Sequence, residues 1–210
     1  MSKLVLIGGG GHCKSVLDSA LRMKAFDRIV ITDAEIAPGT KICGCEVVGS
    51  DDCLQDLRNQ GFDKAIITVG AVKPNPLRQQ LALKVASLGY EFISVIDPTA
   101  VVSDFADIEE GTFIGKSAVI NAGVHIGRHC IINSGAIVEH DCLVGEFSHV
   151  SVGSILCGGV ILGNNSLIGA GSTVIQYRKI GNGCVIGAGA VVNEDVPPGL
   201  TVVGVPAKQK

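Results

Sequence analysis

A branched aliphatic residue recurs at every sixth position from Val102 to Val192, and this period constrains the fold more than any other feature. A helix repeats every 3.6 residues and a strand alternates every two, so neither accounts for a strict period of six. The period is the signature of a parallel β-helix, in which short strands wind around a prism. Sixteen consecutive positions carry it without a slip: Val102, Ile108, Ile114, Ile120, Ile126, Ile132, Val138, Val144, Val150, Leu156, Leu162, Ile168, Val174, Ile180, Ile186 and Val192.

The positions between these aliphatic stops fit a narrow prism. We predict that the stop and the small residue four positions later share the interior, and that Gly or Asn directly after the stop supplies the corner backbone angles. With three walls a coil takes eighteen residues, which gives a little over five coils and a height of roughly 25 Å at ~4.8 Å per coil. A pure scaffold would show the same pattern, so the period predicts no function. The small residues are Ala106, Thr112, Ala118, Ala136, Ser148, Ser166 and Ser172; the Gly and Asn residues include Gly115, Asn121, Gly127, Gly145, Gly163 and Gly187.

The first hundred residues have a different pattern. Apolar runs predict strands over residues 3–7, 28–32, 64–69 and 92–96, and helical spacing predicts helices over 14–23, 51–60 and 76–88. Strands that alternate with helices predict a small parallel α/β sheet. Asp97-Pro98 marks the change to the prism. We therefore predict an α/β, half-Rossmann-like domain over residues 1–97 and a β-helix domain over residues 98–210.

A glycine-rich turn, residues 8–12 (GGGGH), separates the first strand from the first helix. Free N–H groups and the positive helix end make such a turn suitable for phosphate. The dinucleotide fingerprint is only partly met, because Cys13 stands where the third Gly belongs. Asp33, after the second strand, could accept a hydrogen bond from a ribose or a base. About 95 residues make half a dinucleotide fold, which favours a mononucleotide or nucleotide sugar; NAD and a turn without ligand remain alternatives.

Composition excludes several classes of protein. A formal net charge of −3 gives no electrostatic case for nucleic acid. Mean hydropathy is +0.43, yet no apolar run approaches the ~20 residues of a membrane span. The N-terminus leads straight into a strand and does not resemble a signal peptide, so we expect a cytoplasmic protein without membrane insertion and with its eight Cys reduced. Cys43-x-Cys45 lacks a second ligand pair, so no metal is predicted.

Of the five His, His140 is the most informative. It lies two residues after an inward stop and should emerge at a corner, between Glu139 and Asp141. Flanking carboxylates can raise the basicity of an imidazole and fix its tautomer, as a general base near neutral pH requires. A solvated corner residue remains the alternative. His125 and His129 fall on outward or corner positions without an acidic neighbour, and we interpret them as surface residues.

Four features together resemble the left-handed β-helix acyltransferases: the hexads, residues 137–141 (IVEHD), residues 145–153 (GEFSHVSVG) and residues 203–208 (VGVPAK). The glycine-rich N-terminal domain narrows the resemblance to the NeuD family of sialic-acid O-acetyltransferases. It is also similar to the N-acetyltransferases of UDP-linked 4-amino sugars, as in bacillosamine synthesis. The resemblance implies a left-handed prism, acetyl-CoA as co-substrate, a role in glycan biosynthesis, and a homotrimer with active sites between subunits.

What the resemblance implies for activity is direct acetyl transfer from acetyl-CoA to a nucleotide-linked amino sugar, such as a UDP-4-amino-4,6-dideoxy sugar. A sugar O-acetyltransferase and a non-catalytic, nucleotide-sensing scaffold are the alternatives. His140 matches the catalytic base of the family and Asp141 its acidic partner. The matches to the acetyl-CoA site are Asn133, His149, Ala170, Ala188 and Lys208. The matches to the nucleotide-sugar site are Gly10, Gly11, His12, Asp33 and Gly70.

The family pattern is not met everywhere. Residues 71–76 (AVKPNP) intervene before Arg78, where the family has a shorter polar segment, and Asp33-Ala34 lacks the second carboxylate of an acidic pair. Both departures lie in the substrate domain and leave the sugar and the nucleotide base open. Arg178 occupies a small-residue position. Because an unpaired Arg cannot lie in that interior, we expect a distorted corner there.

Overall fold

The computed structural model describes residues 2–73 and 76–210. The chain divides into two compact units, Met1–Gly70 with Pro76–Pro98, and Ala71–Asn75 with Thr99–Lys210. We retain the domain boundary after residue 97 as a proposal. The second unit also includes the segment at residue 71, which the sequence assigned to the first domain.

The first unit is an α/β sheet. The strands of this unit are β1 (Lys3–Ile7), β2 (Arg28–Thr32), β3 (Lys41–Ile42), β4 (Cys45–Gly49), β5 (Lys64–Ile67), β6 (Glu91–Phe92) and β7 (Val95–Ile96). The first six form the sheet in the order β3-β4-β2-β1-β5-β6, and all neighbours are parallel except β3 and β4. The helices are α1 (Gly11–Met23), α2 (Leu54–Asn59) and α3 (Pro76–Ser87), with a 3₁₀ turn over Asp51–Cys53.

Continuous apolar strands explain the sheet, because strands covered on both faces need no alternation. Residues 4–7 of β1 are all buried. Helix α1 buries one apolar stripe, with Val16, Leu17 and Ala20 at helical spacing. It ends at Lys24, whose left-handed backbone lets its N–H donate to Leu21 O. The parallel β1–α1–β2 connection places the glycine-rich turn and Asp33 at the same, carboxyl edge of the sheet.

The hairpin of β3 and β4 was not predicted. Its two turn residues, Cys43 and Gly44, have φ of 45° and 87°. Positive φ at both central residues defines the type I′ turn that matches the twist of a two-residue hairpin. Cys is not a residue that normally indicates this turn, so the sequence carried little signal. The helix predicted over 51–60 is divided into the 3₁₀ turn and α2, and the strand predicted over 92–96 is divided between β6 and β7.

The second unit is a left-handed parallel β-helix with three walls. Phe113 pairs with Ile131, and Ile131 with His149, so each coil takes eighteen residues as predicted. The first wall contains β10 (Phe113–Ile114), β13 (Ile131–Ile132), β16 (His149–Val150), β19 (Leu167–Ile168), β22 (Val185–Ile186) and β24 (Thr201–Val203), with β25 (Lys208–Gln209) antiparallel to β24. The second wall contains β8 (Val101–Val102), β11 (Val119–Ile120), β14 (Ile137–Val138), β17 (Ile155–Leu156), β20 (Thr173–Val174) and β23 (Val191–Val192). The third wall contains β9 (Asp107–Ile108), β12 (His125–Ile126), β15 (Leu143–Val144), β18 (Ile161–Leu162) and β21 (Lys179–Ile180).

The prism interior is filled as the hexads predict. The aliphatic stops from Ile114 to Val192 are buried, while Val102 and Ile108 are only half-buried in the first coil. Of the small residues four positions after a stop, Ala106 in the first coil is only half-buried, and the others are buried: Thr112, Ala118, Ala136, Ser148, Ser166 and Ser172. Large and small side chains therefore share one narrow core.

The corner glycines act differently from the prediction. Positive φ occurs three residues after a stop, as at Gly123 (73°) and Asp141 (60°), and not directly after it. Gly directly after a stop is needed because the next coil passes close by. A Cβ at Gly115 would lie 2.7 Å from Ser134 N, and one at Gly169 would lie 2.5 Å from Ile186 O. These positions exclude side chains by contact and not by backbone angle.

The corner at Arg178 is not distorted, so that expectation was wrong. Arg178 O accepts from Ile161 N at 2.9 Å, the same ladder bond that neighbouring coils form. The side chain leaves the interior instead. Its Nε donates to Gln176 O at 3.3 Å, and its Nη1 lies 4.0 Å from Asp195 Oδ1. Backbone regularity therefore survives a residue too large for the core.

Within residues 2–73 and 76–210, no helix combines the length and the hydropathy that a membrane span requires. Over the same residues, no three His, Cys, Asp or Glu side chains form a group that could hold a metal ion.

Candidate active site

His140 and Asp141 form a pair at the corner between the second and third walls. His140 Nδ1 lies 2.8 Å from Asp141 Oδ2, and the two side chains are 55% and 73% exposed. Because a carboxylate only accepts, Nδ1–H is the donor in this bond, and Nε2 of the neutral ring carries the lone pair. Asp141 holds this geometry from a left-handed backbone position, with φ of 60°. The pair thus presents an accessible, oriented base.

Gly158 lies directly against the imidazole of His140. A Cβ at Gly158 would lie 2.5 Å from His140 Nε2, so any side chain there would displace the ring. In the described part of the chain the Gly158 N–H has no hydrogen-bond acceptor, whereas Gly159 N donates to His140 O at 2.9 Å. A free backbone N–H beside a base is suited to hold the oxyanion of an acyl-transfer intermediate. No local sequence signal identifies this residue, because it lies one coil beyond His140.

His149 and Asn133 form a second, separate pair. His149, on the first wall, is only 8% exposed, and its Nδ1–H donates to Ala71 O at 2.6 Å. Its Nε2 is therefore the acceptor for Asn133 Nδ2 at 3.2 Å, while Asn133 Oδ1 accepts from Ser134 N at 2.8 Å. Asn133 begins the corner between the first and second walls. The structure therefore joins these predicted residues as two pairs, on either side of the second wall.

Ala170 and Ala188 lie one above the other at the corner between the first and second walls. Over residues 2–73 and 76–210, neither N–H finds an acceptor, although Ala170 O accepts from Gly189 N at 2.9 Å. Two open amides spaced by one coil suit an extended chain that itself contains amides. Lys208, in β25, is exposed, and its Nζ lies 3.7 Å from Glu194 Oε1.

In the first unit, Asp33 stabilises the loops around it. Gly9 N donates to its Oδ2 at 2.6 Å, and Glu35 N and Ile36 N donate to its Oδ1 at 2.9 and 3.0 Å. Burial acts to raise the pKa of Asp33, but these three N–H groups hold that pKa below its usual value. The carboxylate also lines a cavity of about 220 Å³, together with Ile7, Gly8, Ala34, Glu35, Asp51, Val69, Leu77 and Leu81.

The glycine-rich turn is open where α1 begins. A Cβ at Gly10 or Gly11 would meet nothing within 4 Å, so a ligand can approach the backbone closely. Gly8 needs its positive φ of 104°, and a Cβ there would lie 2.7 Å from Val69 Cγ2. A Cβ at Gly70 would lie 3.6 Å from His12 Cβ. The structure thus brings together the predicted residues of this site around the helix N-terminus.

Cys13 is buried beneath this turn. Burial raises the pKa of its thiol to about 11, although a hydrogen bond with Thr68 lowers it in part. A thiol with that pKa is almost entirely protonated near neutral pH and is a poor nucleophile. The environment of Cys13 therefore argues against an acyl-cysteine route.

The interpretation of His125 and His129 as surface residues without acidic neighbours was wrong in one part for each: His125 is exposed as predicted but has an acidic neighbour, and His129 is buried. His125 Nδ1 lies 2.9 Å from Asp107 Oδ2, one coil earlier. His129 is 5% exposed, and its ring stacks on that of Phe147 at 4.8 Å between centroids. Asp107 and Phe147 are each eighteen residues from the His that they contact, so an inspection of sequence neighbours does not identify them.

Comparisons with known proteins match both parts of the chain. The PglD N-terminal domain profile matches residues 3–85, the bacterial transferase hexapeptide profile matches residues 105–140, and the profile for the hexapeptide repeat of succinyl-transferase matches residues 135–176 and 179–194.

Solved structures match the whole chain. A His-to-Asn variant of perosamine N-acetyltransferase from Caulobacter crescentus, in complex with CoA and GDP-perosamine, is 38% identical with a TM-score of 0.94, over 100% of this chain and 97% of that one. The acetyltransferase domain of PglB from Neisseria gonorrhoeae, in complex with acetyl coenzyme A, is 37% identical with a TM-score of 0.93, over 99% and 98%. WeeI from Acinetobacter baumannii, at 22% identity and a TM-score of 0.80 over the full length of both chains, agrees in fold.

Proposed function

We propose that this chain, which belongs to the hexapeptide-repeat sugar acetyltransferases with a PglD N-terminal domain, transfers the acetyl group of acetyl-CoA to the amine of a nucleotide-linked amino sugar. The observation that carries the proposal is the His140–Asp141 pair, whose free Nε2 lies against Gly158 and its open N–H. The relatives add support, since one is a perosamine N-acetyltransferase with bound CoA and GDP-perosamine and another holds acetyl coenzyme A.

The reaction proceeds in one transfer without an enzyme-bound acyl group. The sugar amine attacks the thioester carbonyl, and His140 Nε2 takes the proton that the amine gives up. Asp141 stabilises the imidazolium that forms, and Gly158 N–H stabilises the oxyanion. The C–S bond then breaks, and His140 returns the proton to the departing CoA sulfur. Holding both substrates together supplies much of the acceleration, because the thioester is already activated.

The acetyl-CoA arm lies along the corner that carries Ala170 and Ala188, whose free N–H groups hydrogen-bond to it. Asn133 and His149 form the wall of this groove near the acetyl group, with the His149 tautomer fixed by the bond to Ala71 O. Lys208 lies near the end of the prism and attracts the phosphates of CoA. The arm therefore extends from the base toward the C-terminal coils.

The nucleotide sugar binds in the first unit. Its pyrophosphate lies at the N-terminus of α1, against Gly10, Gly11 and His12, where open N–H groups and the helix dipole favour an anion. Its base and ribose enter the cavity beside Asp33. Because that carboxylate already accepts three backbone hydrogen bonds, it acts by shaping the cavity as well as by contact.

We further propose a homotrimer. The outward residues of the second wall form an almost wholly apolar column, broken by one Thr: Val101, Val119, Ile137, Ile155, Thr173 and Val191. The corresponding column of the third wall contains Asp107, His125 and Lys179. Packing the second wall against a neighbouring subunit would bring the Asn133–His149 pair of one copy to the His140 of another. Light scattering should give about three times the chain mass of 21.6 kDa, and a monomer with full activity would contradict this.

A cytoplasmic location stays a prediction, consistent with eight free cysteines.

Acetyl transfer can be followed by the loss of thioester absorbance, with UDP- and GDP-linked 4-amino sugars and free sialic acid as acceptors. We expect turnover only with the nucleotide-linked amines. Replacing His140 by Ala should lower kcat at least ~10²-fold, as expected for loss of a general base. Turnover of His140→Ala near the wild-type value would refute the assignment of the base, and acetylation of free sialic acid alone would refute the substrate class.

A further inference from the structure

Tyr177 has an unexpected conformation for its residue type. It occupies the corner between the second and third walls with φ of 58°, and its side chain is 69% exposed. Equivalent positions on earlier coils hold Phe105, Gly123, Asp141 and Gly159; the last three have a left-handed backbone, which Gly and Asp tolerate. The Tyr177 side chain does not compensate for this backbone conformation by packing in the core, because its ring is mostly exposed. A packing role therefore does not explain why an aromatic residue stands here.

The Tyr177 ring lies over Gly159, and the ring of the proposed catalytic base lies over the preceding residue, Gly158. A Cβ at Gly159 would lie 2.5 Å from Tyr177 Cδ1, just as a Cβ at Gly158 would lie 2.5 Å from His140 Nε2. Successive Cα atoms are about 3.8 Å apart, so the imidazole and the phenol ring rest on one Gly-Gly pair. The open N–H of Gly158 is in the same place.

The surroundings of His140 differ between its two sides. Toward the N-terminal coils, the Asp141 carboxylate covers Gly123, where a Cβ would lie 2.6 Å from Asp141 Oδ1. Toward the C-terminal coils, the aromatic ring of Tyr177 covers Gly159. The amine nitrogen is positively charged after it attacks and before it gives up its proton, and this charge is favoured on the carboxylate side. A neutral arm of methylenes, amides and sulfur is favoured against an aromatic face.

We infer that Tyr177 binds the acyl donor: its ring is the platform on which the thioester end of the pantetheine arm rests, beside the Gly158 N–H. The inference rests on the proposed function, in that the donor is acetyl-CoA. It assigns the donor to the C-terminal side of His140 and the acceptor amine to the carboxylate side. The ring supplies apolar contact and not a proton, so its hydroxyl is dispensable.

The test compares three variants. Tyr177→Gly removes the ring and introduces the residue best suited to the backbone, so its thermal midpoint should not fall. We expect its KM for acetyl-CoA and its calorimetric Kd for CoA to rise about tenfold, or about 1.4 kcal/mol, with the acceptor KM unchanged and kcat within about threefold. Tyr177→Phe should restore both donor constants. Phe105→Gly, which removes another exposed ring from the same corner two coils before Asp141, is the matched control and should leave the CoA Kd unchanged.

Tyrosine emission gives an independent readout. The chain has two Tyr and no Trp, and the other tyrosine, Tyr90, is buried with its hydroxyl donating to Leu54 O. Pantetheine, which lacks adenine, should change the emission of the wild type and leave that of Tyr177→Phe unchanged.

The outcomes separate this inference from the function on which it rests. A Tyr177→Gly variant with an unchanged CoA Kd, or with an increase confined to the acceptor KM, would overturn the inference. A CoA Kd weakened equally in Tyr177→Phe would overturn the role of the ring face. Because CoA calorimetry needs no acceptor, a wild-type protein that binds CoA but acetylates no amino sugar would refute the proposed function alone.

Discussion

Replacing Gly158 by Ala tests the geometry of the site more sharply than removing the base. The added methyl carbon would lie 2.5 Å from His140 Nε2 and 2.6 Å from Cε1. Carbon contacts are favourable only near 3.5 Å or beyond, so the ring must move by about 1 Å. A misplacement of about 1 Å can cost about 10²-fold in rate, which corresponds to about 2.7 kcal/mol of transition-state stabilisation.

Stability should change little in this variant. Gly158 does not have a positive φ, and the imidazole beside it is largely exposed, so the ring can swing away without opening the core. We therefore expect kcat to fall about 10²-fold and the thermal midpoint to stay within a few degrees. Steady-state kinetics from thioester absorbance, together with a melting curve, measure both quantities.

A second glycine provides the control. Gly183 has φ of 67°, and a Cβ there would meet nothing within 4 Å. Gly183→Ala should therefore cost about 1 kcal/mol of stability through its left-handed backbone and leave kcat unchanged. A Gly158→Ala enzyme with kcat within twofold of the wild type would refute the placement of the His140 ring.

Two further predictions concern the first unit. The folded pKa of Asp33 lies below its unfolded value of about 3.9, so its stabilisation is present above that pH and is lost as the pH falls through the folded pKa. Melting curves between pH 2 and 6 should show this loss, and Asp33→Asn should show less of it; identical pH profiles would contradict the hydrogen-bonding role. Cys13, with a pKa of about 11, should resist alkylation at pH 8 while exposed Cys43 reacts, and Cys13→Ala should keep kcat within about twofold. Rapid modification of Cys13 in the folded protein would show that the thiol is not protected.

The prism could be predicted in detail from the sequence because its period is strictly local. Each aliphatic residue in the six-residue period predicts its own burial, and three walls of six residues give eighteen residues per coil. The role of Gly115 was misassigned because Gly is needed there to leave room for the backbone of Ser134 on the next coil. The period alone does not predict that contact. Arg178 was expected to distort its corner because the sequence does not show that its side chain can turn outward.

The candidate site was predicted by residue type and resemblance, but not by contact. His140 and Asp141 are adjacent in the sequence, so their pairing could be anticipated. The contacts of His140 with Gly158 and of Tyr177 with Gly159 join residues eighteen apart. The hairpin of β3 and β4 was missed because Cys43 is an unusual residue for a type I′ turn.

The constant coil length limits how this molecule can change. Inserting one residue after β14 would shift every later aliphatic stop off its inward position, much as a register slip inverts the two faces of a strand. Only whole coils can be gained or lost without this damage, and each changes the height of the prism by ~4.8 Å. The length of the donor groove can therefore change only in steps of one coil. Finer changes in substrate choice must come from substitutions of single corner residues.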